Sequence, residues 1–166
     1  MKRIEYDRNA CVAYAREWAF RRNPQYYSFN RLGGDCTNFA SQCLYAGCKV
    51  MNYTPTFGWY YNSLNDRAAA WTGVEFFYRF LTDNLNGVGN ASGPFAVETG
   101  LDLLEIGDCV QFGRATGDFY HTPVVVGFSD GVPLLAAHSN DAFNRPLTSY
   151  SFERLRCLHI LGAREP

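Results

Sequence analysis

An excess of charge of either sign is missing from this chain. Its 166 residues carry 15 Lys and Arg against 16 Asp and Glu, a formal net charge of −1. That balance excludes the basic footprint of a nucleic-acid binder and the polybasic patch of a membrane-surface protein. Long apolar runs are missing too. After Met1-Lys2-Arg3, the charged Glu5, Asp7 and Arg8 interrupt any candidate signal peptide, and no transmembrane stretch, repeat, linker or low-complexity tract follows. Paired Cys-x-x-Cys spacing is absent, since Cys36, Cys43 and Cys48 stand too far apart for that kind of zinc site. Histidine is scarce, with three in the chain, so a role that needs an imidazole has few candidates.

What is present points to one domain over residues 1–166, with 47% apolar residues to build its core. A core of that size does not depend on disulfide staples, so the six cysteines are expected mostly as reduced thiols. Cys11, Cys43, Cys109 and Cys157 read as packing residues. Arg3 to Arg22 reads as a long amphipathic helix with Ile4, Cys11, Tyr14, Ala15, Trp18 and Phe20 inward. A second helix is expected over Thr37 to Ala46 and a third over Trp71 to Leu85, with a turn-rich aromatic excursion from Met51 to Asn65 between them. From Glu105 the pattern is strand and turn, ending in Tyr150 to Arg156 and Leu158 to Leu161. Helices followed by an antiparallel sheet make an α+β domain.

The most informative stretch is Gly33-Gly34-Asp35-Cys36-Thr37-Asn38-Phe39-Ala40-Ser41-Gln42. The glycine pair permits a sharp turn and Asp35 can cap the helix that follows, so Cys36 falls in its first turn. Unpaired N–H groups and the positive end of the helix dipole stabilise an anion there, which favours the thiolate. Most cysteines are buried packing residues or disulfide halves, and a histidine is what lifts this one above that reading. His121 opens the apolar run Thr122-Pro123-Val124-Val125-Val126-Gly127-Phe128, where an imidazole could face the sulfur as base. His138 and Asn140 end the next apolar run, two residues apart and so on one face of an extended strand. Either could orient His121, while Asp141 would point the other way. His159, within Leu158-His159-Ile160-Leu161, reads as structural.

The run Gly33 to Gly47, containing Gly-Gly-Asp-Cys-Thr-Asn-Phe, resembles the signature of the family called "putative amidase domain", a relative of the CHAP and NlpC/P60 enzymes and of papain-like cysteine hydrolases. Tyr6-Asp7-Arg8, Tyr14-Ala15 and Asn23-Pro24-Gln25-Tyr26 extend the likeness upstream, and Trp59-Tyr60, Trp71, Gly107-Asp108 and His121 extend it downstream. The resemblance implies a papain-like α+β fold with Cys36 as nucleophile, His121 as base and a polar third residue on the following strand. CHAP-like enzymes carry an acidic residue and an asparagine there, so His138 departs from the pattern. Cys48 stands where a glycine is common.

An enzyme of this kind cleaves an amide through an acyl-enzyme, with backbone N–H groups beside Asp35 and Cys36 as oxyanion donors, and it needs no metal or organic cofactor. A peptide or peptidoglycan-type substrate is implied, with Tyr26, Tyr27, Trp59 and Tyr60 as candidates to line its groove. A monomer is the default expectation. Without a signal peptide, the chain is expected as a domain of a longer secreted protein, a cytosolic product, or an enzyme with another substrate. Two alternatives stay open: acyl transfer to an amine, and a catalytically silent module that holds peptide or glycan.

Overall fold

Asp7 separates the first strand from the first helix. In the computed structural model, which describes residues 1–166, Lys2–Ile4 forms strand β1 and the Asp7 carboxylate accepts the Ala10 N–H at 2.9 Å to start helix α1, Arg8–Trp18. The single helix expected from Arg3 to Arg22 is therefore a strand and a shorter helix. The reason is non-local: Lys2, Arg3 and Ile4 pair with Glu165, Arg164 and Ala163 at the other end of the chain. Phe20 lies beyond the helix and is largely exposed.

Helix α2, Cys36–Cys48, is buried at every residue except Tyr45. A helix enclosed on all sides belongs to the centre of a fold, and α1 packs across it. Gly47 makes that crossing possible, because a Cβ there would lie 2.4 Å from the Tyr6 ring and 2.9 Å from the Asp7 carbonyl. The excursion that follows holds an Asn52–Trp59 bridge and a short hairpin of β2, Tyr61–Ser63, and β3, Asp66–Arg67. The helix expected over Trp71 to Leu85 is two, α3 (Ala69–Thr72) and α4 (Val74–Asp83), because Gly73 is extended at φ −105° and ψ 129°.

The sheet begins earlier than the sequence reading has it. Strand β4, Gly93–Thr99, precedes β5 (Cys109–Gly113), β6 (Phe119–His121), β7 (Val124–Ser129), β8 (Val132–Ala137), β9 (Ala142–Pro146) and β10 (Arg154–Glu165). The two expected C-terminal segments merge from Arg154 onward into one continuous strand, β10, which pairs with β1, β4 and β5, while Tyr150 to Glu153 lie before it. The antiparallel order is β1-β10-β5-β7-β8-β9, with β4 on β10 and β6 on β5. Alternation divides the core between the two faces. Cys109, Val124, Val126 and Ala136 pack under the helices with Phe39 and Cys43, while Val110, Phe112, Val125 and Leu135 form a second cluster with Leu104, Leu147 and Cys157 on the far face. The architecture is α+β, and no helix is long and apolar enough to cross a membrane.

Candidate functional site

The start of α2 is held from three sides. Gly33 and Gly34 take φ of +84° and +102°, values open to glycine, and lead the chain into Asp35. Asp35 makes no side-chain cap bond to the helix. Its carboxylate instead accepts the Phe29 N–H at 2.7 Å and the Asn38 amide at 2.9 Å, and pairs with His138 Nδ1 at 2.6 Å. Burial alone would raise the Asp35 pKa; these hydrogen bonds outweigh it and hold the carboxyl below its usual value. The Asp35 N–H donates to Ser139 Oγ at 3.0 Å. The main-chain N–H groups of Cys36 and Asn38 make no hydrogen bond to another main-chain group, so the first turn keeps donors for an anion.

The Cys36 sulfur lies 3.8 Å from Thr37 Oγ1 and 3.9 Å from the Tyr120 carbonyl, against the main chain that carries His121. Cys36 is 7% exposed. The helix start is expected to favour the thiolate, but the balance runs the other way. Burial pushes the thiol above its ordinary value, against the Thr122 N–H and the Thr37 hydroxyl and N–H, and the Asp35 charge adds to the rise.

The Thr122 hydroxyl points to α2, 3.0 Å from Thr37 Oγ1. His121, the last residue of β6, pairs opposite Phe112 on β5, and paired residues share a face of the sheet; Phe112 belongs to the far-face cluster. The His121 ring therefore lies on the far face, with ring centroids 5.9 Å from Phe112 and 6.2 Å from Tyr150, and it makes no hydrogen bond to the sulfur. Burial and then the Arg145 charge pull its pKa down to about 4, so the ring is neutral at physiological pH. Beside it the Tyr150 hydroxyl is buried without a partner.

The other two histidines are committed elsewhere. His138 is stacked on Phe39 at 4.0 Å, with Nδ1 on Asp35 and Nε2 2.8 Å from the Trp18 carbonyl, so neither nitrogen is left to orient His121. Asn140 is exposed in the β8–β9 turn at φ +68° and reaches neither Cys36 nor His121, because the strand ends at Ala137. Asp141 holds Arg22 through two hydrogen bonds of 3.0 and 2.9 Å. His159 Nδ1 lies 2.7 Å from buried Asp108, which also binds Arg8 and the N–H groups of Glu105 and Ile160.

Among the aromatic candidates, Trp59 is wholly buried and donates its indole N–H to Ser41 Oγ at 3.0 Å. It fills the core and lines no groove. Tyr26 packs between Tyr61 and Trp71 at 5.1 and 6.0 Å, and Tyr60 lies beside Tyr53. Tyr27 is exposed next to the site, its carbonyl accepting the Asn38 amide at 2.9 Å. Two clefts, of about 1040 Å³ beside β1 and about 710 Å³ between residues 52–58 and α4, lie away from Cys36. No group of three or more His, Cys, Asp or Glu side chains is placed to hold a metal ion. All six cysteines are unpaired and buried.

Sequence reasoning missed the buried polar chain behind the sulfur. Gln111, on β5, donates to Thr122 Oγ1 at 3.1 Å, and Thr122 contacts Thr37. Gln111 in the otherwise apolar strand Cys-Val-Gln-Phe was the available signal, since a buried amide must find partners.

Comparison with known proteins supplies the family. No solved structure matches the chain. An uncharacterized protein of Bacillus subtilis (strain 168), YhbB, is 32% identical over 144 residues, which cover 84% of this chain and 43% of that one. The chain thus spans less than half the length of this relative. Residues 5–160 match the family described as "Putative amidase domain". With nearly its whole length matched, the chain belongs to that family.

Proposed function

We propose that this domain is a cysteine-dependent amidase of papain-like fold, with Cys36 as nucleophile and His121 as base. One observation carries the assignment: of the three histidines, His121 alone has both ring nitrogens unengaged, and the carbonyl of the residue before it, Tyr120, lies 3.9 Å from the Cys36 sulfur. For the reaction its side chain turns from the Phe112–Tyr150 side toward the sulfur, from which its backbone is one peptide unit away. Catalytic hydrogen bonds of this kind are commonly formed only with substrate bound.

In this scheme the neutral imidazole takes the thiol proton as sulfur attacks the amide carbonyl. The S–C bond forms, the oxyanion is held by the free N–H groups of the first helical turn, and the C–N bond breaks as the imidazolium returns the proton to the departing amine. Water, deprotonated by the same imidazole, then cleaves the thioester to release a carboxylic acid and the thiol. Peptide amides are the substrate class, with peptidoglycan stem peptides the first to try, and Tyr27 is the exposed aromatic placed to meet them.

The test is turnover of peptidoglycan fragments by wild type, Cys36→Ala and His121→Ala. Loss of hydrolysis in both variants, with folding retained, supports the reading, whereas unchanged hydrolysis in either removes that residue from it. The His121 ring, turned away from the sulfur, favours one second reading, a silent module that binds peptide or glycan. Equal ligand affinity in wild type and Cys36→Ala, with no turnover in either, would establish that instead.

A further inference from the structure

We propose that Gln111, Thr122 and Thr37 form a one-way hydrogen-bond chain that delivers a hydroxyl proton to the Cys36 sulfur. Thr37 is then the residue that touches the reacting atom, and Thr122 and Gln111 are positioning residues behind it. The inference rests on Cys36 being the nucleophile.

The direction of the chain follows from its far end. Arg156 Nε lies 2.8 Å from Gln111 Oε1, and a guanidinium only donates, so that oxygen accepts. Gln111 Nε2 therefore faces the Val74 carbonyl at 3.0 Å and Thr122 Oγ1 at 3.1 Å and spends its two protons there. Thr122 Oγ1 accepts, which leaves its single proton for Thr37 Oγ1 at 3.0 Å. Having accepted in turn, Thr37 keeps its own proton, and the remaining partner of its hydroxyl is the Cys36 sulfur at 3.8 Å. The reverse order fails at Gln111: a thiol donating to Thr37, and Thr37 to Thr122, would aim the Thr122 proton at an amide nitrogen that cannot accept it.

The chain is anchored and dry. Gln111 and Thr122 are fully buried and Thr37 is nearly so. Arg156 is itself fixed by Glu75 Oε2 at 2.8 Å and lies over the rings of Tyr78 and Phe119 at 3.6 and 3.9 Å. A low local dielectric strengthens each link and makes a misplaced proton costly. A sulfur that receives a hydroxyl proton is better solvated as thiolate than as thiol, so the chain offsets part of the burial that works against ionisation. Asp35 at the helix start, with Arg22 and His138 beyond it, and the neutral His121 are the other groups around the thiol, and the variants below leave them in place.

The test is iodoacetamide alkylation of the folded full chain across pH, with Cys36 read separately by mass spectrometry. Thr37→Val should slow Cys36 alkylation at neutral pH roughly tenfold and move its pH profile up by about one unit. Thr37→Ser, which keeps the hydroxyl, should stay near wild type. Thr122→Val should shift the profile in the same direction, and should add nothing in a Thr37→Val background, because it reaches the sulfur only through Thr37. Melting temperatures identify any variant that does not fold, and the Thr37 and Thr122 arms stand independently. If Cys36 reacts in wild type and Thr37→Val matches Thr37→Ser, the chain is overturned while the nucleophile stands. If Cys36 is inert in wild type across the whole range, the nucleophile falls and the chain with it.

Discussion

His138 donates from Nδ1 to the Asp35 carboxylate at 2.6 Å, and both side chains are about 99% buried. On its other side ring Nε2 lies 2.8 Å from the Trp18 carbonyl. The pair ties the end of α1, the start of α2 and the end of β8 at one point. Its work is to hold the turn that presents Cys36.

Breaking that pair should therefore cost stability first. His138→Ala is expected to destabilise the fold by about 3 kcal/mol, because it empties the space against Phe39 and takes a hydrogen-bond partner from the buried Asp35 carboxylate. Asn140→Gly, at an exposed position with positive φ, should stay within about 0.5 kcal/mol. Urea unfolding checks both, and a His138→Ala protein as stable as wild type would remove the clamp.

The pH dependence of stability carries the mark of His121. Its pKa lies near 4 in the folded chain against an ordinary 6.5, so below about pH 6.5 the unfolded chain gains a proton that the folded one refuses. Stability should fall as pH drops from about 6.5 to about 4, by up to about 3 kcal/mol, and this contribution should then level off. Asp35, held below its usual 3.8, adds its own loss only at lower pH, as the folded carboxylate is forced to protonate. Unfolding curves of wild type and His121→Gln should diverge in the upper window. Parallel curves would contradict the burial of His121.

Asp108 binds Arg8, His159 and two main-chain N–H groups at the junction of α1, β5 and β10. Asp108→Asn keeps the size but loses the charge and half the acceptors, and is expected to cost about 3 kcal/mol in thermal or urea unfolding. His159→Gln removes one partner of the four and should cost less.

Gly47→Ala tests the helix crossing. Its Cβ would meet the Tyr6 ring and the Asp7 carbonyl well inside contact distance, and overpacking of this kind costs about 1–3 kcal/mol. A melting temperature equal to wild type would show that α1 can shift away.

Sequence alone determined what short-range chemistry dictates. The Gly-Gly turn and the burial-ready run after Cys36 put that residue in the first turn of a helix, and alternating apolar runs after Glu105 announced antiparallel strands. The α+β class follows from those two facts. Tertiary structure decided the rest. Lys2–Ile4 became a strand and β10 ran unbroken because their partners lie far along the chain, which local periodicity cannot register. The facing of His121 rests on register: it pairs opposite Phe112 and so shares that residue's face, and a shift of a single residue would reverse the outcome. His138 was read as a free polar group at a strand end, yet Asp35, 103 residues earlier, claims it. The thiol was placed by sequence, but its ionisation was set by burial, a property of the whole packed core.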